Sequence, residues 1–354
     1  MARGCFSNSY PVDWRIGFML ILICLDSSLN SASKNPQAVI FAPEAISLQS
    51  RVEFCVTLSP DELEAFFAVR KGPGLWEIHQ ARRVKDAWQA SAPLPFSGSF
   101  SDSEPTLSPD GQRLFFSSNR PVRGSEPSQD FNIWMVERQN DGWSTPRPLP
   151  EPINGPGDQW RASQSRSGDL FYSSRGLWTC SFDGLKAGSP IVLFDPQAPT
   201  GLIGGHAFIT PDGQTLLTAW MDGPGGQGSW DLYVSFRDEQ GKWSASVNLG
   251  DSVNTAAGED FPLLSPNGNT LYFFRYEKDV AGEKGDIYHI DAAFIQALRP
   301  RGRLKEPGAK ENGVSDARIE GWVRACLAVL YRGMMPPGCH QGAQNFLNPG
   351  SLET

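Results

Sequence analysis

Histidine and cysteine are scarce, with four of the first and six of the second in 354 residues. No cysteines form a CxxC pair, and none stands beside clustered histidines at metal-ligand spacing. A zinc core, a disulfide framework and a resident metal are therefore not expected. Excess basic charge is missing too: 31 Lys and Arg face 39 Asp and Glu, a net charge of −8. That leaves no electrostatic footprint for nucleic acid. Recognisable catalytic signatures are absent, with no GxSxG elbow, no Walker loop, no HExxH and no GxGxxG opening a helix, so no catalytic residue and no cofactor is assigned. The run "IGFMLILICL" (16–25) falls short of the roughly 20 apolar residues of a spanning helix. Preceded by Arg15 and followed by Ser31 and Ser33, it reads as a signal peptide (1–33) cut near Ser33. The expectation is an exported protein, periplasmic or extracellular, with no stable transmembrane span after cleavage. Cleavage leaves Cys55 and Cys180 as small core residues, and Cys326 and Cys339 as a pair that an oxidising compartment could join.

What the chain has in quantity is 36 Gly, 28 Pro and 11 Trp, the residues of turns and pleated surfaces. They are organised by a repeat. "LSPDELEAFFAVR" from Leu58 recurs as "LSPDGQRLFFSSNR" from Leu107, "QSRSGDLFYSSR" from Gln164, "ITPDGQTLLTAW" from Ile209 and "LSPNGNTLYFFR" from Leu264. Pro presets φ for a tight turn, and Asp-Gly or Asn-Gly tolerates the positive φ that a hairpin needs. A third strand follows at an aliphatic–aromatic pair (Leu75-Trp76, Ile133-Trp134, Leu177-Trp178, Leu232-Tyr233, Ile287-Tyr288). A fourth follows around a Trp in "DAWQASAPLP", "DGWSTPRPLP" and "GKWSASVNLG", with "AGSPIVLF" in its place in the third copy. The unit is a four-stranded meander of ~45–57 residues, the size of a propeller blade.

The fifth copy lacks its fourth strand, and "VIFAPEAISLQSRVEF" (39–54) supplies a spare one at the other end. The expectation is an all-β, five-bladed β-propeller over 38–292, closed by this N-terminal strand, with six blades as the alternative. Residues 300–314 read as a linker. Beyond it, Ile319, Trp322, Val323, Cys326, Leu327, Leu330 and Tyr331 draw one face of an amphipathic helix in a 300–354 tail.

The pattern from Glu104 to Arg120, "EPTLSPDGQRLFFSSNR", together with Asp286–Tyr288, resembles the WD40-like PD40 repeat of the TolB propeller group. The likeness is strong in copies two and five and weak in three, where Arg166-Ser167 replaces Pro-Asp. It implies an exported bacterial propeller and no single activity. The repeat lacks the residue that the sialidase Asp-box places between Asp and Gly.

Features repeated blade by blade read as scaffold. Arg70, Arg120, Arg175 and Arg275 follow second strands, and Asp231 and Asp286 precede third strands; Arg–carboxylate ties within blades are expected of them. A site is expected where blades differ, just before each inner strand at one mouth of the channel. Five residues before each anchor stand Cys55, Glu104, Arg161, His206 and Phe261, with Glu53, Asp102, Gln159 and Glu259-Asp260 beside them. The candidate binding residues are Glu53, Asp102, Glu104, Arg161, His206, Glu259 and Asp260. The glycines before His206 would let backbone approach a ligand closely. A hard cation at Glu104, Glu259 and Asp260 has no calcium loop to support it. The first reading is a non-catalytic propeller that binds a protein, peptide or glycan at the channel mouth. Its rival is a carbohydrate-active hydrolase or lyase using carboxylates and His206 there. Carboxylates facing each other across ~5–9 Å of open cleft would favour the rival.

Overall fold

The structure, a computed structural model, describes residues 37–300 apart from 123–127, 129, 141, 195–202 and 278–283. The expected signal peptide, the tail helix expected beyond the linker, and Cys326 and Cys339, expected to pair, lie outside the described residues.

Five antiparallel sheets form a five-bladed β-propeller. Their inner strands are Glu53–Leu58, Asp102–Leu107, Trp160–Gln164, Ile203–Ile209 and Gly258–Leu264, which begin blades 1 to 5. Each blade runs outward as a meander, and in blades 1 and 2 the outer strand is split into two short pieces. Those pieces end at Pro93 and Pro148, and proline is tolerated there because an edge strand needs no further N–H donor.

The repeated tripeptide makes the first hairpin of each blade. Ser108 donates to Asp110 (2.5 Å), whose carboxylate also accepts the Gln112 N–H (3.0 Å), while the Arg113 N–H returns to the Ser108 hydroxyl (2.9 Å). Thr210–Asp212 and Ser265–Asn267 repeat the arrangement. Gly111 supplies the left-handed residue at φ +70°, and Glu62 holds the same place in blade 1 at φ +58°.

The apolar core lies between blades. Phe66 and Ile78 of blade 1 pack with Leu114, Phe116 and Trp134 of blade 2, and Phe171 and Leu177 of blade 3 with Ala207, Ile209 and Leu216 of blade 4. The ring closes as the repeat implies: Val39 pairs with His289 and Ile40 with Tyr288, completing blade 5 with an N-terminal strand. Next to it, Phe41 meets Tyr272 of blade 5 edge-on at 4.9 Å and Trp88 of blade 1 at 5.6 Å.

One irregularity recurs in all five inner strands. The register slips between Phe54 and Thr57, Ser103 and Thr106, Trp160 and Ser163, Gly204 and Ala207, and Asp260 and Leu263. This is a β-bulge at one equivalent position per blade, with Cys55, Glu104, Arg161 and Phe261 in left-handed conformation at φ +55°, +54°, +40° and +52°. Pro105 and Pro262 follow two of these residues inside buried inner strands, which proline can enter only at a bulge.

Phe41 acts as the clasp between the first and last blades. Phe41→Ala is expected to cost about 3–5 kcal/mol, a fall in Tm of ~5–10 °C for a propeller of this size. Calorimetry beside Leu63→Ala, an exposed control (49% exposed), checks this. Equal small shifts in the two variants would remove the closure from the account.

Candidate functional site

A bulge breaks the two-residue alternation of a strand and re-aims the residue it carries. The five re-aimed positions are Cys55, Glu104, Arg161, His206 and Phe261, one from each blade, and their side chains meet at the channel. Arg161 is the hub: it is 1% exposed. Its guanidinium donates to the carbonyls of Ala207 in blade 4 (3.2 Å) and Pro262 in blade 5 (2.6 Å) and to the Cys55 sulfur in blade 1. It also lies 5.6 Å from the Phe261 ring centroid. Burial pushes the Cys55 thiol up to about 12 against the pull of Arg161, so this cysteine is a packing residue and not a nucleophile.

Above the hub, His206 stands between two carboxylates from other blades. Nδ1 lies 3.0 Å from Asp260 and Nε2 3.3 Å from Glu104. Phe261 stacks on the ring at 4.0 Å, and Ser117 donates to the far oxygen of Glu104 at 3.1 Å. Burial disfavours the charged imidazole, but the Asp260 and Glu104 carboxylates outweigh it and push the pKa up to about 10. The carboxylates are nearly covered, with side-chain exposures of 5% for Glu104 and 7% for Asp260 against 19% for His206.

The other three candidate carboxylates lie elsewhere. Glu53, Asp102 and Glu259 come two residues before the bulge position and turn back into their own blades with no exposed surface. Arg51 holds Glu53, Arg120 holds Asp102 at 2.7 Å, and Arg275 holds Glu259 at 2.8 Å. Burial raises the pKa of all three, that of Glu53 to about 7. Arg–carboxylate ties thus exist in three blades, with inner-strand carboxylates in place of the expected Asp231 and Asp286. Asp231 instead accepts the N–H groups of Gln227 (3.0 Å) and Gly228 (3.3 Å) and pins the "GPGGQG" loop. Arg70 lies over the Trp76 ring at 5.9 Å. Because Glu259 is held by Arg275, the carboxylates weighed for a cation do not converge, and among the described residues no group of three His, Cys, Asp or Glu is arranged to hold a metal ion.

The mouth opens as a cavity of about 630 Å³. Its floor is Glu104, His206, Asp260 and Phe261, and its walls are largely aromatic: Trp76, Phe131, Trp160, Trp230, Phe274 and Tyr276. Phe131 and Trp160 stack at 4.4 Å. Trp230 lies so close over Gly205 that a methyl group there would overlap its ring. The glycine before His206 thus admits a tryptophan of the protein's own instead of a ligand. This aromatic collar is what the sequence reading missed. Its signal is positional: Trp160 and Trp230 are the first residues of their strands, and Phe131 directly precedes one.

No family model and no curated protein matches the chain. Solved structures do. A putative TolB from Agrobacterium tumefaciens is 17% identical over 68% of this chain and 77% of its own, with a TM-score of 0.45. A glycoside hydrolase is 12% identical over 79% and 97%, TM-score 0.49. The arabinanase Arb43A of Bacillus subtilis is 11% identical over 71% and 97%, TM-score 0.43. Likeness at this level carries no chemistry from one chain to another.

The His206 geometry has a pH signature. A histidine whose folded pKa lies near 10, above the 6.5 of the free side chain, stabilises the fold fully below about pH 6.5 and loses that contribution as pH rises through 10. The stability difference between wild type and His206→Gln, followed by denaturant unfolding from pH 6 to 10, is expected to shrink steadily with pH. A difference flat over that range would contradict the carboxylate–imidazolium–carboxylate arrangement.

Proposed function

We propose that the protein is a saccharide-binding propeller of the PD40 type, taking a short glycan end into the channel mouth without cleaving it. The PD40 assignment is supported by the Glu104–Arg120 motif. The ligand class is supported above all by one observation: a cavity of small-molecule size whose walls are aromatic and whose floor is a polar cluster. Sugar rings offer flat C–H faces to aromatic side chains, and their hydroxyls pair with fixed polar groups. Trp76, Phe131, Trp160 and Trp230 supply the first kind of surface; Glu104, His206, Ser103 and Ser173 supply the second.

Binding is favoured over hydrolysis by what occupies the gap between the carboxylates. In glycosidases the paired carboxyl groups flank an open space of ~5–9.5 Å that takes the scissile bond or a water. Here the His206 ring fills that space and bonds to both. Both carboxylates are also tied to the same imidazole, at 3.3 Å from Glu104 and 3.0 Å from Asp260, which keeps them from a glycosidic oxygen.

The test is calorimetric titration of neutral oligosaccharides into wild type, Trp230→Ala and Glu104→Gln, with product analysis of the same mixtures. The expected outcome is saturable binding, weakened about tenfold or more by Trp230→Ala, a loss of ~1.4 kcal/mol, and intact sugar recovered at the end. Turnover by wild type that Glu104→Gln abolishes would replace this reading with the hydrolase.

A further inference from the structure

The saccharide reading leaves one charge of the mouth unused. Blades 1, 2 and 5 place a carboxylate two residues before the bulge position and hold it with an arginine, whereas blade 3 places Gln159 there. The Gln159 amide donates to its own loop, at the Gly157 carbonyl (2.9 Å). The arginine that follows the second strand of that blade, Arg175, is exposed and lines the mouth.

Arg175 is presented from a fixed base. It sits at φ +45° and is followed by Gly176 at φ +142°. The turn is tied by the Ser174 N–H donating to the Gly176 carbonyl (2.9 Å) and by the Trp178 indole N–H donating to the Ser174 carbonyl (2.8 Å). A non-glycine residue held left-handed is strained, and here that residue brings a guanidinium to the cavity.

The charge balance points the same way. Glu104 and Asp260 both pair with His206, so neither is turned to Arg175, which forms no ion pair with a carboxylate of the cavity lining. The two carboxylates are almost covered while His206 and Arg175 are the more exposed, so a ligand entering the mouth meets positive charge first. A guanidinium offers a planar fork that fits a carboxylate with two parallel hydrogen bonds, which an ammonium cannot do.

Resting on the saccharide reading, the geometry points to a uronate as the ligand: a glycan whose terminal sugar bears a carboxylate, taken by Arg175 while the aromatic collar takes the ring face. Sulfated sugars share the negative charge but not the planar shape.

Calorimetric titration of short uronate oligosaccharides, their methyl esters and sulfated neutral oligosaccharides, on wild type, Arg175→Gln and Arg175→Lys, tests this. Wild type is expected to favour the free acid over its ester by about tenfold or more, with a preference that shrinks as salt is raised. Arg175→Gln should bring the acid down to the affinity of the ester, and Arg175→Lys should restore only part of the gap. Equal affinity of wild type for acid and ester would overturn the uronate assignment and leave the saccharide reading standing. So would an equal loss for both ligands in Arg175→Gln, or tighter binding of the sulfated sugar. No binding of acid, ester or neutral sugar to folded wild type would overturn both.

Discussion

A one-residue bulge at the same point of every inner strand is the constraint on which the channel depends. Without it each inner strand would alternate regularly, and a residue and its neighbour two positions away would share a face. With it, Glu104 and Asp102 part company: one reaches the axis and the other returns into its blade to meet Arg120. Four of the five bulges hold a non-glycine residue at positive φ, each at a cost of order 1–3 kcal/mol. The buried aromatic and aliphatic packing between blades sustains that strain. Since the bulge occurs at Cys55 and Phe261 as well as at Glu104 and His206, it belongs to the architecture, and the chemistry comes from which side chain each blade places on it.

The resulting floor has two levels. Arg161 binds carbonyls and a thiol from three other blades and seals the axis. His206 lies above it, with one carboxylate from blade 2 and one from blade 5. Charges are matched within this cluster, which accounts for its tolerance of burial. What remains open to solvent is the aromatic collar, an edge of His206 and the Arg175 guanidinium.

The architecture was readable because it is written repeatedly. The Ser-Pro-Asp-Gly hairpins, the third-strand aromatics and the spare N-terminal strand led to five blades and to the closure at Val39–Ile40. The positions of Glu104, Arg161, His206 and Asp260 around one mouth followed from the same repeat. Separating them from Glu53, Asp102 and Glu259 did not, because a bulge leaves no plain mark in composition; Pro105 and Pro262, prolines inside buried strands, are its trace. Arg70, Arg120, Arg175 and Arg275 look alike in sequence. Counted along their second strands they are not aligned. Arg275 stands in the strand opposite Glu259, Arg120 comes two residues after Ser118, and Arg70 and Arg175 share a place between the two. Blade 1 draws on Arg51 for its carboxylate, and blade 3 has none there. The collar was hidden for another reason: Phe131, Trp160 and Trp230 come from separate blades and become neighbours only when the ring has closed.

The bulges weld side chains from distant blades into one coupled cluster. A double-mutant cycle of Glu104→Gln and Asp260→Asn in denaturant unfolding at neutral pH, run with His206 present and again in His206→Gln, measures that coupling. With the imidazole in place the two changes should depart from additivity by about 1 kcal/mol or more, within the range for residues that share one network. The coupling should vanish when His206 is replaced. Additivity within ~0.5 kcal/mol in both backgrounds would mean that the carboxylates of blades 2 and 5 act independently, and the account of the channel floor would fail.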